Sequence, residues 1–338
     1  MTGKEDRMFK KILAATDMVK VADAAVLTAA NLAEAYQAEL YILHVLESAS
    51  SENRHQIKHF ETDAEIMLND AYAQQVKNTL KNSYVAVLPP TIDYQIRITT
   101  GFPWAEILGW SREIESDLIV LGPHSGRAEE KGVVRVAGKV GSTVEGVVTQ
   151  ENCPVMIVNR LIPKEKLAFK KVVVGIDFSA SCAYAIRFAV NLAHKFGSAL
   201  FLFHMIPVPP YPKYTRENYE ADLDSSRQRL IAFCRDHVAA TDHEYHLWGG
   251  SLPHLELLKC AEKTGADAIV LGSHTKEAEG KWYAGSAVER AGFRANCPVI
   301  VINDPEALQE WKGLLTPKTE TEGRADHLIH VFSKKYPG

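Results

Sequence analysis

Two short stretches decide the fold: DLIVLGP at Asp117–Pro123 and DAIVLGS at Asp267–Ser273. Each opens on an aspartate, runs through four apolar residues and stops at a glycine. A short apolar run bounded by turn signals reads as a strand buried on both faces. A strand of that kind needs cover above and below, which in a single chain means flanking helices and a parallel sheet.

The likeness of the two stretches extends outward. KKILAATD (Lys10–Asp17) answers to KKVVVGID (Lys170–Asp177), and YILHVLE answers to FLFHMIP, both at an offset of 160 residues. DLIVLGPHS answers to DAIVLGSHT at an offset of 150, and ENCPVMIVN to ANCPVIVIN at 144. Order is kept while the offset shrinks, so the first copy carries ten extra residues before Asp117 and six more after it. One domain is written twice. The boundaries read as 8–160 for the first domain, 161–169 for a linker, 170–304 for the second domain and 305–338 for a tail.

Both copies share one grammar. A buried strand comes first, then a helix. In the second copy Ser179 or Ser181 marks the start of that helix, Ile186, Ala189, Val190, Ala193 and Phe196 form its apolar face, and Gly197 stands at its end. Ala25, Val26, Ala29, Leu32, Ala33 and Tyr36 do the same in the first copy. A second strand ends near His44 or His204. A helix is expected over Glu61–Asn82 and over Arg216–Ala240, then a strand, then a helix opened by Pro103 or Pro253, where proline costs little. The fourth strand, a loop, a helix from Ser142 or Ser286, and a last strand complete each unit. In such sheets ligands bind outside the carboxyl ends of the strands, which places Asp17, Asp177, His44, His204, Gly122 and Gly272 on one rim per copy.

Composition narrows the function. Among 338 residues, 38 basic face 42 acidic ones, a net charge of −4 that disfavours a nucleic-acid backbone as partner. The apolar stretch near the start is too short for a signal peptide, and no run approaches the roughly 20 apolar residues of a membrane helix. The five cysteines include no CxxC pair, which fits reduced, buried thiols in a cytoplasmic setting, and no Cys/His cluster has zinc spacing. Neither a Ser-His-Asp order with its nucleophile elbow nor a GxxxxGK[ST] loop is present.

The segment from Gly272 to Ser286 either cradles a phosphate or only turns a corner. A glycine after a strand lets backbone N–H groups come close to a ligand, and a helix start offers unpaired donors. The motifs together resemble the universal stress protein family, here as a tandem of two domains covering roughly Lys10–Arg160 and Lys170–Asp304. The residues that carry the resemblance are the aspartate ending strand one, the DLIVLG and DAIVLG strands, and GSxxE followed by NCPV. The family's ATP pattern is Gly, two residues, Gly, nine residues, then Gly with Ser or Thr. The second copy matches with Gly272, Gly285 and Ser286 but has Thr275 in place of the middle glycine, and threonine resists positive φ. The first copy has Gly122, Ser125 at the middle position (with Gly126 next to it), and Gly141–Ser142 after a six-residue expansion.

The resemblance implies that Asp17 and Asp177 lie near the ribose or adenine edge, and that the backbone at Val45 and Met205 meets the adenine. His274 falls inside the phosphate loop, where a hydrogen-bonding or solvent-facing role is expected. The implied fold is two Rossmann-like, doubly wound five-stranded parallel sheets of strand order 3-2-1-4-5, related by a pseudo-twofold axis and paired through PVMIV and PVIVI. The chain would then mimic a dimer internally, and a homodimer of the whole chain is compatible with it. The implied function is that of a cytoplasmic stress-response protein that binds ATP or another adenine nucleotide, with Mg admissible alongside, and acts through protein partners of unknown identity. At most slow ATP hydrolysis is expected, and no catalytic residue is assigned. A ligand-free scaffold with degenerate sites stays open as an alternative, as does an ATP-cleaving or nucleotidyl-transfer enzyme of the same fold. In the tail, LQEWKGLL reads as one or two helical turns.

Overall fold

The computed structural model describes residues 8–18, 20–48, 53–60, 62, 64–123, 140–208, 214–238, 241–273, 286–303 and 329–335. The first half comprises β1 (Lys11–Thr16), α1 (Lys20–Tyr36), β2 (Glu39–Glu47), a hairpin of β3 (Gln56–Lys58) and β4 (Glu65–Met67), and α2 (Asp70–Tyr84). It continues with β5 (Tyr94–Gly101), α3 (Pro103–Ile114), β6 (Leu118–Leu121), α4 (Ser142–Val148) and β7 (Val155–Ile157). The second half repeats this as β8 (Lys171–Gly175), α5 (Ala180–Phe196), β9 (Ala199–Pro207), α6 (Arg216–Val238) and β10 (His243–Gly250). Then come α7 (Pro253–Thr264), β11 (Ala268–Gly272), α8 (Ser286–Arg294) and β12 (Val299–Ile302), with β13 (Ile329–Lys334) near the chain's end.

Eleven of these strands form one sheet in the order β10-β9-β8-β11-β12-β7-β6-β1-β2-β5-β13. Each half is a doubly wound parallel sheet of order 3-2-1-4-5, as expected. Successive strand residues point to opposite faces. Ile12 and Ala14 therefore join the core layer beneath α1, α2, α5 and α6, while Leu13 joins the layer beneath α3, α4, α7 and α8.

The halves meet where β7 and β12 pair antiparallel, Val155 against Val301, Met156 against Ile300 and Ile157 against Val299. Met156 and Ile300 occupy equivalent places in the two copies, so the pseudo-twofold axis passes between them. Two equivalent asparagines lock this seam. Asn303 Nδ2 donates to the carbonyls of Val148 and Glu151, both at 2.6 Å. Asn159 Nδ2 donates to those of Phe293, at 3.0 Å, and Ala295, at 2.8 Å. Each amide thus satisfies orphan carbonyls where the other half's last helix ends. Tyr36, whose hydroxyl donates to Leu167 O, packs against Phe9 and Phe196 and ties the linker between α1 and α5.

Several repeated residues are explained by the fold alone. Asp117 Oδ2 accepts from the backbone N–H groups of Lys10 and Lys11 at 2.7 and 2.8 Å, and Asp267 Oδ2 from that of Lys171 at 3.0 Å. Lys11 Nζ reaches Ile114 O at 2.9 Å and Lys171 Nζ reaches Thr264 O at 3.2 Å, placing a cation at the C-terminus of α3 and of α7.

Two features depart from the sequence reading. The helix expected over Glu61–Asn82 begins only at Asp70, where Asn69 caps it by accepting from Tyr72 N at 2.9 Å, and the residues before it form the β3–β4 hairpin. The polar tail contributes β13, which pairs antiparallel with β5 and closes that edge of the sheet. The helix expected at LQEWKGLL lies outside the described residues.

The helix ends differ between halves. α5 and α7 finish on Gly197 and Gly265 at φ +62 and +63, whereas Gln37 and Glu115 take the left-handed conformation at φ +53 after α1 and α3. A side chain there is strained by about 1–2 kcal/mol. Glu115→Gly should therefore raise the unfolding free energy by about 0.5–1 kcal/mol. Gly265→Ala should lower it by a similar amount, although nothing lies within 4 Å of the added Cβ. Urea titration of both variants checks the opposite signs. Asn303→Ala, which leaves two helix-end carbonyls at the seam unpaired, should cost about 2–4 kcal/mol in the same assay.

Candidate functional site

The carboxyl ends of three adjacent strands form one rim in each half. In the first half β1 lies between β2 and β6, with Thr16 beside His44 and Ala14 beside Val120. In the second, β8 lies between β9 and β11, with Gly175 beside Phe203 and Val174 beside Val270. Asp17 and Asp177 follow the central strands, Val45 and Met205 lie on the neighbouring ones, and Gly122 and Gly272 lie at the ends of β6 and β11. These predicted residues are therefore brought together. Gly141 caps the start of α4, where its N–H donates to Pro123 O at 2.7 Å, and Ser142 and Ser286 open α4 and α8. Ser125, Gly126, His274, Thr275 and Gly285 lie outside the described residues.

The rim histidines fasten strand ends. Nδ1 of His44 lies 2.8 Å from Thr16 O, and Nδ1 of His204 lies 2.8 Å from Ile176 O. A carbonyl only accepts, so Nδ1 carries the proton in both rings. Burial, with Arg229 nearby, holds His204 below its ordinary pKa.

Around these shared points the halves diverge. In the first half Thr16 Oγ1 and Tyr84 OH are 2.7 Å apart, Tyr84 OH donates to Asp23 Oδ1 at 2.6 Å, and Thr16 Oγ1 accepts from Met18 N at 2.9 Å. Burial and the Asp23 carboxylate push the Tyr84 phenol far above its usual range, so it stays protonated and donating. The β3–β4 hairpin is fixed beside this rim. Ser48 bridges to Ile57, Lys58 Nζ meets Glu47 at 2.7 Å, and Arg54 lies 3.4 Å from the buried Glu106. The ten extra residues of the first copy thus sit at the end of β2.

The second half has Ile176 and Ala183 where the first has Thr16 and Asp23. Its Asp177 Oδ1 accepts from Ser179 N at 3.0 Å and from Ser179 Oγ at 2.6 Å, and Ser179 Oγ caps α5 by accepting from Cys182 N at 3.2 Å. Ser181 Oγ lies 3.1 Å from Ser179 Oγ. Phe178, left-handed at φ +67, turns its ring under the Arg229 guanidinium at 3.9 Å and against His204 at 4.5 Å. A cation, two hydroxyls and a carboxylate therefore gather at this rim. Ser273, next to Gly272, buries a hydroxyl that has no hydrogen-bond partner among the described residues.

Gly272 has a packing reason beyond close approach to a ligand. A Cβ there would lie 2.6 Å from the backbone N of Cys182 and from the carbonyl carbon of Ser181, so the first turn of α5 could not seat against β11. All five cysteines are free, and burial pushes their thiols up to about 12. Among the described residues no group of three His, Cys, Asp or Glu side chains could hold a metal, and no helix is long and apolar enough to cross a membrane.

Sequence reasoning missed Tyr84 and Arg229, which reach the rim from helices far along the chain, Asp23 in the first turn of α1, and Phe178 in a turn with no local signature. It also missed the seam pair Asn159 and Asn303, although both stand at the end of the quoted NCPV stretches and their recurrence was a usable signal.

The model of the universal stress protein family matches residues 8–159 and again 168–303. A universal stress protein of Methanocaldococcus jannaschii is 27% identical over 157 residues, covering 44% of this chain and 91% of its own length. The crystal structure of a universal stress protein from Archaeoglobus fulgidus aligns with a TM-score of 0.55 at 19% identity, over 88% of this chain and 97% of that one. A shorter protein of the family from Archaeoglobus fulgidus, solved in complex with dAMP, covers 40% of this chain at 23% identity with a TM-score of 0.31. Two family matches in succession, on two halves folded alike, establish that the chain belongs to the universal stress protein family with two of its domains in tandem.

Proposed function

We propose that this protein binds an adenine nucleotide, ATP or AMP, at the rim of its second half, and that the bound nucleotide changes its contacts with protein partners. The observation that supports this most is the asymmetry of the two rims. In the first half a Thr16–Tyr84–Asp23 hydrogen-bond network and a fastened hairpin stand at the strand ends. In the second half those positions are apolar, and Arg229, Ser179 and Ser181 gather beside Asp177. The nucleotide class follows from the family pattern, matched here by Gly272, Gly285 and Ser286. A guanidinium is suited to phosphate oxygens, and its seat on the Phe178 ring restricts its motion beforehand.

On this reading Met205 offers its backbone to the adenine, Asp177 its carboxylate to the ribose, and the start of α8 its N–H groups to phosphate. Mg would accompany the phosphates as part of the ligand. No described rim residue is assigned as a general base, and binding and release are the expected output.

Calorimetric titration of ATP separates the alternatives. The wild type should bind one equivalent, Gly285→Asp should lose the heat by putting a carboxylate at the start of α8, and Gly141→Asp, the matching change in the first half, should leave it intact. Equal heats from wild type and Gly285→Asp contradict the assignment. An Arg229→Ala variant should lose affinity for ATP by about tenfold and for adenosine hardly at all, since one charge-assisted contact to phosphate is removed.

A further inference from the structure

The pseudo-twofold axis makes β5 and β10 equivalent outer strands, yet among the described residues only β5 is covered. In β5 the residues whose backbone groups face outward meet β13: Tyr94, Ile96 and Ile98 stand opposite Lys334, Phe332 and Ile329. On β10 the outward residues follow from its bonds to β9. Leu200 N donates to Asp242 O and Val208 N to Gly250 O, which fixes even-numbered residues toward β9. His243, Tyr245, Leu247 and Gly249 therefore turn their N–H and C=O groups outward. The N–H of Gly249 is taken by Tyr219 OH at 3.0 Å. Among the described residues nothing pairs with the backbone of His243, Tyr245 or Leu247. The strand HEYHLWGG also lacks the lysine and proline that commonly blunt an edge.

We infer that β10 is a self-association edge, and that its occupant is β10 of a second copy, antiparallel about Tyr245. The backbone phase dictates that register. Tyr245 exchanges both hydrogen bonds with Tyr245 of the other copy, and His243 exchanges them with Leu247 on either side, which uses every outward group and ends where Tyr219 blocks Gly249. In the same register Glu244 of one copy stands directly opposite His246 of the other, twice over, in the closer non-hydrogen-bonded pairs. The two side chains already share a face, with His246 Nε2 lying 3.1 Å from Glu244 Oε2 inside one chain. A carboxylate and an imidazole N–H are complementary across the axis, where two carboxylates or two unlike strands would not be. The chain uses the same mode of joining at its own seam, through three antiparallel residue pairs. β13 seals the opposite edge, so the association closes at two copies instead of growing into a filament.

Sedimentation equilibrium of the full chain tests this. The wild type should show twice its 37.5 kDa mass at tens of micromolar. His246→Glu should raise the dissociation constant by about tenfold or more, because it sets like charges opposite each other at both pairs. The exchange variant Glu244→His with His246→Glu should return it to within about threefold of wild type, since the opposed pairs are complementary again. Tyr245→Pro should abolish the dimer while keeping the circular dichroism of the monomer, because the lost N–H faces outward and proline is tolerated on such an edge. A wild type that stays monomeric at about 100 µM would overturn the inference, that being weaker than an ordinary transient contact. So would a dimer indifferent to His246→Glu, or a mass that keeps growing with concentration.

Discussion

The structure depends on the antiparallel meeting of β7 and β12. Without it each half would end in an exposed, continuously apolar strand, VMI or VIVI, with backbone groups unpaired along one side. Pairing them satisfies both edges at once and merges the two sheets. Asn159 and Asn303 make the join specific. Their amides reach across to the ends of α8 and α4, and this fixes the distance and rotation of one half against the other. The rims then lie at opposite edges of one merged sheet.

A tandem repeat frees its copies to diverge. The fastening parts are kept in both halves: the aspartate that holds the first strand, the lysine at the helix end, the rim histidine bonded to a neighbouring carbonyl, the seam asparagine. What differs lies at the strand ends. In the first half a tyrosine hydroxyl bridges a threonine and an aspartate, and an inserted hairpin is tied down by Arg54 and Lys58. In the second half an arginine stacks on a phenylalanine beside a serine-capped aspartate. The two halves thus share their fastenings and differ at their rims.

Most of the fold was legible from the sequence because its signals are local and doubled. KILAAT and KVVVG are apolar runs of strand length, and Gly197 ends a helix at positive φ. The β3–β4 hairpin was not legible. QIK and EIM are three residues each, too short to carry a strand pattern, and they are held by Glu47 and Ser48 at the end of the preceding strand. β13 was hidden for the same reason: a polar tail gains strand structure only from the open edge of β5, some 230 residues earlier in the chain. At the site, the rim positions followed from strand ends, but Arg229 and Tyr84 arrive through helix packing that no local pattern encodes. Gly272 was legible as a necessary glycine, and its physical reason, the first turn of α5 against β11, needed the structure.

Native-state hydrogen exchange at the seam tests the central account most directly. If the two halves form one cooperative body, the amides of β7 and β12 should exchange only through global unfolding, with the same free energy and denaturant dependence as those of β1 and β8. Asn303→Ala should lower all four strands together. Early exchange of β7 and β12, with β1 and β8 still protected and the halves unfolding in two separate transitions, would contradict it.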